Sequence, residues 1–229
     1  MKLHTLLEIA GSTAGVLLYA RLRAKQGDPV SDSSRLTVLV AAAIGAMIGA
    51  RLLWWLGEPN LSLAQILSGK TIVGGLLGGL IAVELVKKLA GIHTRTGDLF
   101  VFPLILATII GRIGCFLAGP ADHTHGHPSN LPWAMAIGDG VRRHPVVLYE
   151  IAFLLLLVPL LLRVHGQTGD RFRVYLASYL AFRLLVDFLK PFPQPLAGGL
   201  TAIQWACAAG ILYYAAGFAR RTLHREATA

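Results

Sequence analysis

The chain has 229 residues, 55% of them hydrophobic and only 14% charged, with a mean hydropathy of +0.61. A soluble domain carries about 25% charged residues, so this composition excludes an ordinary water-soluble fold and indicates a polytopic membrane protein. The net charge of +9 would suit nucleic acid, but the basic residues fall in short segments between apolar runs, where they set membrane topology, so no nucleic-acid partner is expected.

Seven runs approach the roughly twenty residues that a bilayer span needs. They cover about 3–22, 35–56, 70–90, 98–119, 145–164, 172–190 and 199–218. The predicted fold is all-α, a single transmembrane domain over residues 1–229. The first run follows Lys2 and is interrupted by Glu8. It lacks the cleavage site of a signal peptide and is expected to persist as a helix. The second run holds Arg51. The third opens on Gly74-Gly75 and Gly78-Gly79, with Glu84, Lys87 and Lys88 near its end. Small residues at that spacing let helices pack closely, and bare backbone there equally lets a lipid headgroup approach. The fourth run carries Gly111-Arg112-Ile113-Gly114-Cys115-Phe116, then Gly119.

The connection 120–144 is too long and too rich in turn residues to be a plain connector, which makes it a functional candidate. It includes Pro120, Asp122, His123, His125, His127, Trp133 and Asp139. Alternate histidines with Asp122 supply some metal-ligand character, but a solvated loop explains them more simply, and no metal is expected. Trp133 reads as an interfacial anchor. The fifth run opens on Arg142-Arg143-His144-Pro145, with Tyr149 and Glu150 following; Pro145 is expected in the first helical turn. His144 and Tyr149 read either as interfacial anchors or, for His144, as a proton carrier near neutral pH. The sixth run holds Tyr179, Arg183 and Asp187. Cys115 and Cys207 both lie in apolar runs, give no disulfide framework, and are expected to be inert thiols.

Thirteen of the 21 lysines and arginines fall on one side of this layout, in the first, third and fifth connections and the C-terminal tail. That side should be cytoplasmic, which places the N-terminus and loop 120–144 outside and the C-terminus inside. Under this topology Arg51, Arg112, Tyr149, Glu150, Tyr179, Arg183 and Asp187 are expected at one depth, toward the outer face. A charge in hydrocarbon costs roughly 2.5–3.5 kcal/mol on insertion scales, so Arg51, Arg112 and Arg183 need a reason to be there. A guanidinium fork matches a phosphate bidentately, which points to a lipid headgroup. For Arg183 an internal salt bridge to Asp187, four residues on, is the other reading.

These motifs resemble the prolipoprotein diacylglyceryl transferase family. The resemblance rests on Gly111–Phe116 with Gly119, on His144-Pro145 followed by Leu148-Tyr149-Glu150, on Tyr179, Arg183 and Asp187, and on Gly74-Gly75-Leu76-Leu77-Gly78. It spans nearly the whole chain. It implies transfer of a diacylglyceryl group from phosphatidylglycerol to the thiol of a lipoprotein precursor, with release of glycerol phosphate and no cofactor. Arg112 and Arg183 would hold the donor phosphate, with His144 and Tyr179 in the catalytic set. Arg51, Gly74, Gly75, Gly114, Gly119, Arg143, Tyr149, Glu150 and Asp187 would line the substrate site. The expected location is the bacterial inner membrane, with the site facing the periplasm.

The chain departs from the family pattern at three places: Val73 where a histidine usually precedes the glycine pair, Cys115 for an asparagine, and Pro120 for a glutamate. The base that deprotonates the acceptor thiol is therefore left open between His144 and a loop histidine. Transfer to another acceptor, or from a similar anionic phospholipid, is left open, and a non-catalytic phospholipid-binding paralogue and a small transporter are the alternative functions.

Overall fold

The computed structural model describes residues 2–28, 30–58, 69–119, 124–191 and 195–226. Among them are seven α-helices: α1 Lys2–Gln26, α2 Asp32–Gly57, α3 Ile72–Leu89, α4 Val101–Ala118, α5 Val146–Leu162, α6 Asp170–Val186 and α7 Ala202–Glu226. Each overlaps one predicted run. A 3-10 turn at Asp98–Phe100 leads into α4, and another at Asp187–Leu189 follows α6, so Asp187 sits just past the α-helical ladder. Pro145 is the N-cap residue of α5, one position before the expected first turn; its missing N–H makes either place acceptable. Arg35, at the start of the second predicted run, lies in the first turn of α2 and is buried.

Among the described residues three segments, Leu3–Gln26, Asp32–Gly57 and Asp98–Ala118, are long and apolar enough to cross a membrane. Val146–Leu162 and Ala202–Phe218 are apolar but shorter. Large apolar side chains point outward, among them Leu6, Ile9 and Val16 on α1 and Leu155, Leu156 and Leu160 on α5. A helix satisfies its own backbone hydrogen bonds, so such a surface suits hydrocarbon and not water.

The chain divides into two compact units. The first comprises Met1–Val30, Thr94–Tyr175 and Phe188–Phe192, and the second Ser31–His93, Leu176–Asp187 and Pro193–Ala229.

In the first unit α1 packs on α4, and α4 on α5. Glycines set the α1–α4 approach. A Cβ on Gly11 would stand 2.8 Å from the Ala107 carbonyl oxygen, and one on Gly15 3.1 Å from that of Pro103. Tyr19 stacks on Phe100 with ring centroids 4.9 Å apart. The Asp98 carboxylate accepts from the Gly169 and Phe172 amides at 2.6 and 2.9 Å and so caps the start of α6. The connection before α5 carries a short ribbon. Strand β1 (Met135–Ala136) pairs antiparallel with β2 (Arg142–Arg143), with Met135 opposite Arg143. Arg142 donates to the carbonyls of Ala134, Leu131 and Pro132, and the His127 amide donates to the Leu189 carbonyl at 2.7 Å.

In the second unit α2 packs against α3, and α7 against both. Gly45 and Gly49 of α2 face Gly74 and Gly78 of α3 so closely that a Cβ on any of the four would strike backbone of the other helix. Thr71 caps α3 by accepting from the Gly74 amide at 3.1 Å. Thr201 and Gln204 form a reciprocal capping box at the start of α7: the Gln204 amide donates to Thr201 Oγ1 at 3.1 Å, and the Thr201 amide to Gln204 Oε1 at 2.9 Å.

Candidate active site

Arg112 stands about two-thirds of the way along α4, on its buried face. Its Nη2 lies 2.9 Å from Glu150 Oε2 on α5. Arg112 is 7% exposed and Glu150 2%, so this is an ion pair inside apolar helices. Such a pair contributes little net stability, because desolvating two charges offsets most of their attraction. What it does supply is a guanidinium held at a set position. The contact engages one end of a fork that carries five N–H donors. An oxyanion of matching planar geometry would meet a cation already in place. On the same helix Cys115 is half-buried, and its sulfur lies 3.9 Å from Arg112 Nη1. Gly114 faces α1: a Cβ there would come within 3.2 Å of the His4 ring and 3.1 Å of the Leu7 Cβ.

Gly119 follows the last turn of α4. Its φ of +69° is open to glycine at little cost, and a Cβ there would stand 2.7 Å from the Ile137 carbonyl oxygen. At the start of α5, His144 Nδ1 lies 3.3 Å from the Tyr149 hydroxyl, and Trp133 Nε1 donates to that hydroxyl at 2.8 Å. Tyr149 thus ties the loop to the helix that carries Glu150. Arg143 donates to Asp139 Oδ1 at 2.6 Å across the ribbon turn. That hydrogen bond holds the Asp139 carboxyl below the usual carboxylate range. Arg143 is therefore engaged within the loop.

The second unit holds its own buried polar cluster. Arg183 Nη2 lies 3.4 Å from Asp187 Oδ1, and Thr201 Oγ1 donates to Asp187 Oδ2 at 2.9 Å. Gln204 Nε2 donates to the Leu184 carbonyl at 3.3 Å. Arg183 and Asp187 are both nearly inaccessible, and Tyr179 is fully buried one turn before Arg183. The salt-bridge reading of Arg183 is thus realised as a contact, and Asp187 orients the guanidinium. Arg51 is half-buried on α2, and its Nη1 donates to the Met47 carbonyl one turn back at 3.4 Å. Gly74 lies in the α2–α3 packing seam; Gly75 stands beside it, where a Cβ would make ordinary contact with Ala46 and Ala50. Glu84 pairs with Lys87 at 3.0 Å, apart from these clusters.

Of the loop histidines, His123 lies outside the described residues, as do Pro120 and Asp122. His125 Nδ1 lies 3.3 Å from the Gly126 carbonyl oxygen. Among the described residues no group of three or more His, Cys, Asp or Glu side chains could hold a metal ion. Sequence reasoning passed over His4, Thr201 and Gln204. The last two were legible as the Thr-x-x-Gln pattern of a capping box. His4 carried only a weak signal, its four-residue spacing from Glu8 on one helix face.

Comparison with known proteins points in one direction. The family model described as prolipoprotein diacylglyceryl transferase matches residues 1–220. The chain is 33% identical to the phosphatidylglycerol--prolipoprotein diacylglyceryl transferase of Bordetella avium, over 84% of this chain and 80% of that protein. It is 32% identical to the protein of the same name from Methylococcus capsulatus, over 97% and 94% respectively. With the one from Clostridioides difficile it shares 30% identity, over 82% and 77%.

Proposed function

The chain belongs to the prolipoprotein diacylglyceryl transferase family, and on that premise we propose that it moves the diacylglyceryl group of phosphatidylglycerol to the thiol of a lipoprotein precursor. The observation that carries this reading is Arg112, a guanidinium buried within apolar α4 and held at 2.9 Å by Glu150. In the reaction the acceptor sulfur attacks the glycerol carbon of the donor. The bond from that carbon to the phosphate oxygen breaks, and glycerol phosphate leaves with the electron pair. Negative charge grows on the departing phosphate, and a cation fixed beforehand stabilises it without reorganisation.

In this reading Arg112 serves the donor phosphate, and Arg183, oriented by Asp187, is assigned the same anion chemistry. His144, Tyr149 and Trp133 shape the outer connection above α5, and Tyr179, Arg51, Gly74, Gly75, Gly114, Gly119 and Arg143 complete the proposed set as binding or positioning groups. The seven helices are read as seven spans of a bacterial inner membrane, with the N-terminus and the site on the outer side and the C-terminus in the cytoplasm; the charge asymmetry of the connections supports that orientation.

Val73, buried at the start of α3 where the family pattern has a histidine, favours a second reading: a paralogue that binds phospholipid without transferring it. One experiment separates them. Purified protein is incubated with labelled phosphatidylglycerol, with and without a lipobox peptide, and every product is identified by mass. A transferase yields glycerol phosphate and a thioether-linked peptide, and Arg112→Ala abolishes both while still inserting in the membrane. Lipid retained with no product identifies the binder. Unchanged turnover in well-expressed Arg112→Ala removes the clamp.

A further inference from the structure

The contacts around Arg112 extend beyond α4 and α5. The Cys115 sulfur, 3.9 Å from Arg112 Nη1, is also 3.6 Å from His4 Nε2 on α1. The same His4 nitrogen lies 3.6 Å from Glu8 Oε1, one turn along α1. A sulfur atom therefore sits between an imidazole and a guanidinium, with a carboxylate beside the same imidazole nitrogen. These are the groups that thiol chemistry needs: an acceptor for the proton, and a cation for the anionic sulfur or the leaving anion. We propose that His4 takes the proton from the acceptor thiol, a role that rests on the transfer reaction set out above.

The step balances as follows. The acceptor S–H proton passes to His4 Nε2 as the sulfur electron pair attacks the diacylglyceryl carbon. The carbon–oxygen bond breaks, and its electron pair leaves on the phosphate, which Arg112 receives. The imidazolium faces the Glu8 carboxylate until water or the released phosphate removes its proton. Cys115 shows that a sulfur fits this position, and the proposal has the acceptor thiol take it when the Cys115 side chain turns to another χ1 rotamer. Facing His4 are Glu8 on its own helix and Cys115 on α4, with Arg112 and its partner Glu150 behind the sulfur.

The packing explains why the imidazole is there. Gly11, Gly15 and Gly114 bring α1 and α4 into close approach, and a Cβ at 114 would press on the His4 ring at 3.2 Å. The His4 side chain is 20% exposed at the protein surface. His144 is committed differently, with Nδ1 at 3.3 Å from the Tyr149 hydroxyl.

The test uses the full chain in detergent with phosphatidylglycerol and a lipobox peptide, and reads glycerol phosphate release across pH for wild type, His4→Asn and His144→Asn. The acid limb of kcat/KM reports an essential base in the free enzyme. His4→Asn should lower kcat by about 10²–10⁴, the usual share of general-base catalysis. It should lose the acid limb, keep its KM for lipid, and recover part of its rate with added imidazole. An acid limb retained in His4→Asn overturns the proposal, as does a limb that disappears in His144→Asn instead. Loss of rate with a raised lipid KM and no rescue by imidazole would make His4 a structural neighbour and likewise overturn it. A wild-type chain that releases no glycerol phosphate refutes the transfer reading first, and the His4 role falls with it.

Discussion

Replacing Glu150 by Gln tests the central ion pair most directly. The change keeps shape and removes one charge, which leaves the Arg112 guanidinium facing a neutral amide at a site where both partners are almost inaccessible. Breaking a buried pair from one side costs about 3–5 kcal/mol, because the remaining charge is uncompensated. At about 2–4 °C per kcal/mol for a chain of this size, the thermal midpoint should fall by about 6–20 °C. Differential scanning fluorimetry of the purified protein in a mild detergent reads this shift. The double replacement Arg112→Met with Glu150→Leu should recover most of the loss, since apolar residues of similar volume are often neutral or stabilising in place of a buried pair. That variant should fold and release no glycerol phosphate. A Glu150→Gln midpoint within 1 °C of wild type would refute the buried-pair argument. A stable double variant that still consumes phosphatidylglycerol would refute the assignment of Arg112 to the phosphate.

Three further outcomes are expected. Arg183→Lys should strongly lower turnover, because an ammonium is a point charge without the guanidinium fork that Asp187 orients; wild-type rates would leave Arg183 a purely structural partner. Gly78→Leu should destabilise the second unit by about 1–3 kcal/mol or more, since even its Cβ would strike the Gly45 carbonyl, and limited proteolysis between α2 and α3 should accelerate; unaltered cleavage would refute the close glycine seam. The Arg143–Asp139 contact depresses the Asp139 carboxyl below its ordinary range. Its contribution to loop order is therefore complete above the unfolded carboxylate value of about 4 and lost as pH falls through the lower folded value. Hydrogen exchange over residues 135–143 should show protection persisting at mildly acidic pH in wild type and reduced in Asp139→Asn; equal protection in both would dismiss the pair.

Much of this molecule is legible along the chain. Seven apolar runs foretell seven helices because burying a span in hydrocarbon demands length and composition, both local properties. Arg112 stands out for the same reason: one charge amid eighteen otherwise apolar or small residues of α4 is conspicuous without any neighbour being known. The Arg183–Asp187 contact and the Thr201–Gln204 box follow from spacings of four and three within or beside one helix, which helical geometry brings together.

What the chain order could not supply is who meets whom across helices. Glu150 was visible as a polar residue early in α5, but its place opposite Arg112 depends on how α4 and α5 are rotated about their axes. His4 met Cys115 only because α1 lies against α4 on a glycine seam, 111 residues away in sequence. The glycines of α3 read equally as a lipid surface or a packing seam until Gly45 and Gly49 of α2 were placed against them. Composition decides that a helix enters the bilayer, whereas shape complementarity between side chains, a property of pairs of helices, decides which face each helix shows to its neighbour.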